Sequence, residues 1–263
     1  GFTVADETTA LMKQLVDAGE LQHLAAERVW QESARALSEK SPWVYFEILR
    51  SCGALQALFP ELDVLFGIPQ PEKHHPEIDT GLHSLLSLKA ACKLSEEIPV
   101  RFAALIHDLG KGLTPKKEWP SHKGHERQSL PLVNALCDRL KAPNNVRSLA
   151  LLAAEYHTHV HRAFELKAST LLKVIRSSDA FRNVEKFEQF LLVCEADSKG
   201  RTGFENEIYP QSLYFMSALN AAKAIKPAEL IAEGFSGKEL GLALQRKQQA
   251  SIEHLKRERV NAS

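Results

Sequence analysis

The chain has 263 residues, 44% hydrophobic and 25% charged; this is the balance of a folded globular protein, one large domain or two small ones, and it excludes disordered, collagen-like and disulfide-scaffold classes. No apolar run approaches the roughly 20 residues that a bilayer span needs, and the opening GFTVADETT has no basic stretch followed by an apolar block, so a cytoplasmic protein with no membrane partner is expected. Lysine plus arginine equals aspartate plus glutamate at 33 each, so any nucleic-acid contact must come from a local patch.

Helical periodicity runs through almost the whole chain and β-branched alternation is nearly absent, which predicts an all-α fold. TTALMKQLVDAG puts Leu11, Leu15 and Val16 on one helix face and stops at Gly19; ELQHLAAERVWQESARALS predicts a second helix. Pro42 at a first helical position opens a third, PWVYFEILRSCGALQALF. PELDVLFGIPQPEKHHPEIDTG, with four prolines and two glycines, reads as a linker or irregular crossing, and the domain boundary is placed near residue 70. Beyond it Asp79 or Thr80 caps GLHSLLSLKAACKLSEE, and Pro99 opens VRFAALIHDLG, which Gly110 closes. A polar loop, KGLTPKKEWPSHKG, precedes the helices HERQSLPLVNALCDRL, NVRSLALLAAEYHTHV, ASTLLKVIRSSDAF and VEKFEQFLLVCEADSK, and a long basic segment runs from about residue 211. Cys52, Cys92, Cys137 and Cys194 lie 40 or more residues apart among apolar neighbours, the pattern of buried reduced thiols.

Nine of the 11 histidines fall between residues 74 and 161. Histidine and aspartate together form the nitrogen and oxygen set that holds Zn, Ni, Mn or Fe. The pair His107-Asp108 is the sharpest element: neighbours on a helix diverge by about 100°, so both reach one ion only where the helix is ending. Behind FAALI the pair sits where charge is costly unless it is coordinated or paired. His83, one turn inside its helix, and Asp197, near the end of a late helix, are the next candidates. His122 and His125, three apart, can share a face, and His157 comes from another helix. Each also has a plain reading: His83 as a hydrogen-bonded core histidine, Asp197 as a surface carboxylate or a partner of Arg201, His74 and His75 as loop residues, His159 and His161 as solvent-facing.

D-T-G-L-H-S-L, F-A-A-L-I-H-D-L-G-K-G, S-H-K-G-H-E and E-A-D-S-K-G-R together resemble an HD-superfamily metal-dependent phosphohydrolase domain. E-R-V-W-Q-E-S-A-R-A-L, F-P-E-L-D-V-L-F-G-I-P, H-H-P-E-I-D-T-G and G-R-T-G-F-E extend the resemblance, over nearly the whole chain, to the C-terminal part of the bacterial multifunctional CCA-adding enzymes, tRNA nucleotidyltransferases with an HD tail. The resemblance implies a helical, tRNA-supporting body over residues 1–70 and an HD domain with a basic C-terminal helical segment over 71–263. It implies 2',3'-cyclic phosphodiesterase, 2'-nucleotidase and phosphatase activities with Ni or Mn, or Mg or Zn, on 2',3'-cyclic nucleotides and 2'-phosphates. The parent enzymes also use Mg with ATP and CTP. Their nucleotide-adding head carries a Gly-rich loop and a D-x-D pair, and this sequence contains no D-x-D, so CCA addition by this chain alone is not expected.

By position His83, His107, Asp108 and Asp197 match the H, HD and D metal ligands. His125 matches the GH histidine, and His157 matches a histidine important for hydrolysis. After His157, where the family can carry an acidic residue, this chain has Thr158. Asp108 is expected to bridge or orient the attacking water, and His125 or His157 to protonate the leaving oxygen. Lys111 is either a neutraliser of a phosphate oxygen or an exposed loop lysine. His122, His125 and His157 form a candidate second metal set. Arg246, Lys247, Lys256, Arg257 and Arg259 either contact tRNA phosphates or form a solvated helix face with Glu253 and Glu258. The rival readings are a tRNA-binding module with a vestigial metal site, a structural or homodimerising piece in which the histidines form a buried polar network, and an HD enzyme acting on alarmones or cyclic dinucleotides, which the CCA-type motifs disfavour.

Overall fold

In the computed structural model, residues 4–262 are described. Among them the secondary structure is all-α, the single β-type contact being an isolated bridge between Pro69 and Asp79. The helices are α1 (Asp6–Asp17), α2 (Ala26–Ser38), α3 (Pro42–Ser51), α4 (Ala54–Leu58), α5 (Pro60–Asp63), α6 (Thr80–Leu94), α7 (Ile98–Ile106), α8 (His125–Leu140), α9 (Asn144–His161), α10 (Ala168–Ser177), α11 (Val184–Lys199), α12 (Pro210–Lys223), α13 (Pro227–Ala232) and α14 (Gly237–Ala262). None of them is long and apolar enough to cross a membrane. The chain forms two compact units: one runs up to His157 and takes in Leu192–Glu207, and the other is built from Thr158–Leu191 and the chain from Ile208 onward.

The first unit is organised around α7. Val100 through Ile106 are all buried, the pattern of a helix covered on every side. α2 lays Val29, Trp30, Ser33 and Leu37 against its surroundings, with the Trp30 ring edge-on to Phe102 at 5.4 Å. Arg101 is buried because Nη1 donates to the carbonyls of Leu37 (2.7 Å) and Glu39 (2.9 Å), satisfying acceptors that the end of α2 leaves open.

Three elements differ from the sequence expectation. The predicted second helix is a short 3₁₀ turn over Glu20–His23 followed, after an extended Leu24-Ala25 step, by α2. The predicted third helix breaks at Gly53, whose φ of +81° is left-handed and splits α3 from α4. The Pro-rich stretch after it is packed structure: Leu62, Leu65, Ile68 and Gln70 are buried in it. Asp79 ties this stretch to α6, accepting from Leu82 N–H at 2.8 Å as N-cap and from Gly67 N–H at 2.6 Å. Asp79→Ala is therefore expected to cost about 1–2 kcal/mol, read as a lower urea midpoint with an unchanged m-value.

The second unit packs α10, α12, α13 and α14 with the end of α9 and the start of α11. Phe187, Phe190 and Phe215 form its aromatic core, with Phe187 6.3 Å from each of the other two rings. The basic C-terminal segment is thus folded: Ile252 of α14 is fully buried, and Arg176 donates to Gln248 Oε1 at 2.7 Å. Cys52, Cys137 and Cys194 are buried free thiols, and Cys92 is a half-buried one.

Candidate metal centre

α7 ends one residue before the HD pair. His107 is its C-cap and donates through Nδ1–H to the carbonyl of Ala104 at 2.8 Å. Asp108 follows at φ −104°, ψ 13°, off the helix, and a 3₁₀ turn over Leu109–Leu113 comes next. The sequence predicts that Gly110 closes this helix, but the helix ends at Ile106 and the constraint on Gly110 is contact. A Cβ at Gly110 would lie 2.0 Å from the carbonyl oxygen of His125 and 2.6 Å from the backbone nitrogen of Ser129. The turn thus presses directly on α8, fastened by Gly110 N–H donating to Ser129 Oγ at 2.8 Å, and this places His125 over Asp108. Gly200 plays the same part for Asp197: its Cβ would lie 2.6 Å from the backbone of Ser87, so the end of α11 lies against α6 beside His83.

These contacts bring one cluster together. His83 Nε2 is 3.0 Å from Asp197 Oδ1, and His107 Nε2 is 3.2 Å from Asp108 Oδ2 and 3.5 Å from Asp197 Oδ2. His125 Nε2 and His157 Nε2 lie 3.1 and 3.5 Å from Asp108 Oδ1. Lys111 Nζ donates to Asp108 Oδ2 at 2.6 Å and to Gln70 Oε1. His83 and His107 are wholly buried, and Asp108, His157 and Asp197 are 1%, 3% and 4% exposed. His125 and His157 repeat the tautomer lock of His107, donating from Nδ1 to the carbonyls of His122 and Ala153 at 2.9 Å each. A carbonyl only accepts, so Nδ1 carries the proton in all three rings and Nε2 is the nitrogen turned toward the carboxylates.

Burial lowers the proton affinity of His107, but Asp108 and Asp197 outweigh it and push its pKa up to about 10. Burial likewise lowers that of His83, and Asp197 and Glu77 raise it above the ordinary value. Burial would raise Asp108, yet Lys111 and His107 hold its carboxyl well below the usual range. His157 is held below the ordinary histidine value, mainly by burial. The carboxylates are therefore balanced by protons on imidazoles, and such protons are what a cation displaces on binding. His107 Nε2, Asp108 Oδ1 and His125 Nε2 are buried without a hydrogen bond, although Asp108 Oδ2 lies 3.2 Å from His107 Nε2 and Asp108 Oδ1 lies 3.1 Å from His125 Nε2. Close approach without alignment is what side chains show when they point at a shared centre instead of at each other. Among the described residues, His83, His107 and Asp197 form one group with the spacing to hold a metal ion, and His107, Asp108 and His157 form another. Nitrogen and carboxylate donors with locked tautomers fit a divalent ion.

Comparison with known proteins agrees with this chemistry. Residues 80–184 match the family model described as "HD domain", and residues 1–66 match "Probable RNA and SrmB- binding site of polymerase A". The multifunctional CCA protein of Hahella chejuensis is 53% identical over 258 residues, covering 98% of this chain and 61% of that protein. Those of Teredinibacter turnerae and Vibrio cholerae are 56% and 52% identical, over 93% and 97% of this chain and 59% and 63% of theirs. The chain belongs to the multifunctional CCA protein family. It spans about three-fifths of the length of the curated relatives it matches.

In this CCA-family chain the residues singled out from sequence fall into three sets. His83, His107, Asp108, Lys111, His125, His157 and Asp197 meet in the cluster. Lys111 is buried against Asp108 and is not an exposed loop lysine. His122 stands apart from His125 and His157: Nε2 donates to the carbonyl of Pro69 at 2.8 Å and Nδ1 lies against Thr114 Oγ1, so both nitrogens are engaged with the loop. The basic residues of α14 do not form one free patch. Lys247 pairs with Glu233 at 2.7 Å, Lys256 donates to the carbonyl of Leu166, and the Arg259 guanidinium lies 3.4 Å over the Phe164 ring, whereas Arg246 and Arg257 are exposed. Sequence reasoning missed Glu77 and Gln70 and passed over His75 as a loop residue. Glu77 Oε1 lies 2.8 Å from His83 Nδ1 and 3.2 Å from His75 Nδ1. No periodicity signals it, because it stands outside any helix.

Proposed function

We propose that the chain is the C-terminal part of a tRNA CCA-adding and repair enzyme, and that its HD domain is a metal-dependent phosphohydrolase acting on 2',3'-cyclic phosphates, 2'-phosphates and phosphate monoesters of RNA ends. The observation that carries this reading is the buried convergence of locked imidazoles on Asp108 and Asp197. We place the functional boundary near residue 70, with residues 1–70 supporting tRNA and 71–263 carrying the hydrolytic site, in the cytoplasm. Nucleotide addition, with Mg, ATP and CTP, belongs in this proposal to the whole enzyme and not to this chain alone.

His83, His107, Asp108 and Asp197 would hold a divalent ion, with Ni or Mn preferred and Mg or Zn as the alternatives. When bound, such an ion acidifies water and polarises a phosphoryl oxygen. The chain's own groups do the rest. In hydrolysis of a 2',3'-cyclic phosphate a water oxygen bonds to phosphorus and gives up a proton to solvent, one ring P–O bond breaks to leave a phosphate monoester, and the freed ribose oxygen takes a proton from an imidazole side chain. Asp108 orients the water. His125 or His157, whose Nε2 atoms lie 3.1 and 3.5 Å from Asp108 Oδ1, is the proton donor for the leaving oxygen. Lys111 fixes Asp108 by holding its other oxygen.

The test is incubation of the purified chain with 2',3'-cyclic AMP and Ni, Mn, Mg or chelator, beside an Asp108→Asn variant whose fold is checked by circular dichroism. Metal-dependent turnover that the folded variant lacks is the expected result. No turnover with any metal would overturn the enzyme reading and leave a tRNA-binding module with a vestigial site, which the RNA-binding family match over residues 1–66 favours as the second reading.

A further inference from the structure

Resting on that metal reading, we infer that Glu77 is a positioning residue for the centre: its carboxylate holds the Nδ1 side of His83 so that Nε2 is the nitrogen presented to the ion. Among the four clustered imidazoles, His83 is the one whose Nδ1 does not reach a backbone carbonyl three or four residues before it. The Nδ1 atoms of His107, His125 and His157 donate to Ala104, His122 and Ala153, whereas that of His83 faces Glu77 Oε1 at 2.8 Å, a short contact bent away from hydrogen-bond alignment. On the other edge of the ring, Nε2 meets Asp197 Oδ1 at 3.0 Å.

Glu77 is itself held in place. Its side chain is wholly buried, His75 Nδ1 lies 3.2 Å from Oε1, and Thr202 N–H donates to Oε2 at 3.3 Å. The next residue, Ile78, has φ +59°, a conformation that costs a β-branched side chain energy and persists only where the surroundings impose it. Ile78 is also 41% exposed, so its own packing does not explain the strain. What the backbone gains there is the inward turn of Glu77.

His75, Glu77 and His83 also have the spacing to hold an ion of their own. That arrangement requires one imidazole, His83, to serve two cations and so to give up both ring protons. A carboxylate at Nδ1 requires only that it keep one. The geometry therefore favours Glu77 as the orienting partner of a ligand, the role in which such carboxylates typically carry 10–100-fold in metal affinity.

The experiment is calorimetric titration of the full chain with Mn and Ni, for wild type, Glu77→Gln and Glu77→Ala, with metal stoichiometry measured by elemental analysis and the ring nitrogens of His83 observed by long-range 1H–15N NMR. Glu77→Ala is expected to weaken binding by about 10–100-fold at unchanged stoichiometry and to shift the His83 Nδ1 signal. Glu77→Gln, whose amide oxygen still accepts, should recover most of both. Equal affinity for Glu77→Ala and wild type, or the loss of one ion per chain in the variant, would overturn the inference. A wild type that binds no ion would instead overturn the metal reading beneath it. A melting curve in chelator separates either result from unfolding.

Discussion

Asp108→Ala is expected to cost about 3–5 kcal/mol of stability in chelator, the cost of breaking a buried ion pair from one side. Lys111 Nζ sits 2.6 Å from Asp108 Oδ2 and its other partner, Gln70, is neutral. Removing the carboxylate leaves an ammonium in a site only 7% exposed. It also leaves His107 with Asp197 Oδ2, 3.5 Å away, as the carboxylate that balances its proton. Asp108→Asn keeps an oxygen for Lys111 and should cost clearly less. Both variants should lose metal affinity by more than about 100-fold, above the range of an orienting residue. Urea denaturation with and without Mn reads both effects: a wild type at 100-fold excess over its Kd gains about 2.7 kcal/mol from the ion, and the variants gain no more than about 0.4 kcal/mol. An Asp108→Ala protein as stable as wild type, and stabilised equally by Mn, would remove Asp108 from the centre of the site.

Asp108 was legible in the sequence for the reason that makes it sensitive. A charged pair at the end of an apolar helix has to be compensated, and FAALI followed by His107-Asp108 states that need without any coordinates. Asp197 and His83 were legible by the same logic, as polar groups at helix ends beside apolar runs. Glu77 was not, because its role is set by His83 across a helix cap and by Thr202, 125 residues away in the chain. Nor is a left-handed isoleucine readable from its residue type. Lys111 and the basic residues of α14 illustrate a different limit: a lysine or arginine in sequence shows its charge but not its partner. Lys111 is buried against a carboxylate, and Lys247, Lys256 and Arg259 find partners within the second unit in Glu233, the Leu166 carbonyl and the Phe164 ring. The all-α class was readable because amphipathic period survives local breaks such as the one at Gly53.

Gly110 carries the second large effect. Gly110→Ala places a methyl group 2.0 Å from the His125 carbonyl oxygen and 2.6 Å from the Ser129 nitrogen. Both obstacles are backbone inside α8, so no side-chain rotation relieves the clash; α8 or the Leu109–Leu113 turn has to move. The expected cost is at or above the upper end of the usual overpacking range, about 3 kcal/mol. The movement also draws His125 away from Asp108, 3.1 Å from it in the native arrangement, so turnover should fall even in the fraction that stays folded. Gly112→Ala is the matched control two residues on. Its methyl would meet Val64 Cγ1 at 2.7 Å, the tip of a side chain that is 48% exposed and free to rotate, and the entropy lost by the unfolded chain offsets part of any strain. Gly112→Ala is therefore expected to lie within about 1 kcal/mol of wild type by urea denaturation, with hydrolysis retained. Equal costs for the two substitutions would mean that the turn is not seated on α8, and the placement of His125 over Asp108 would then need another cause.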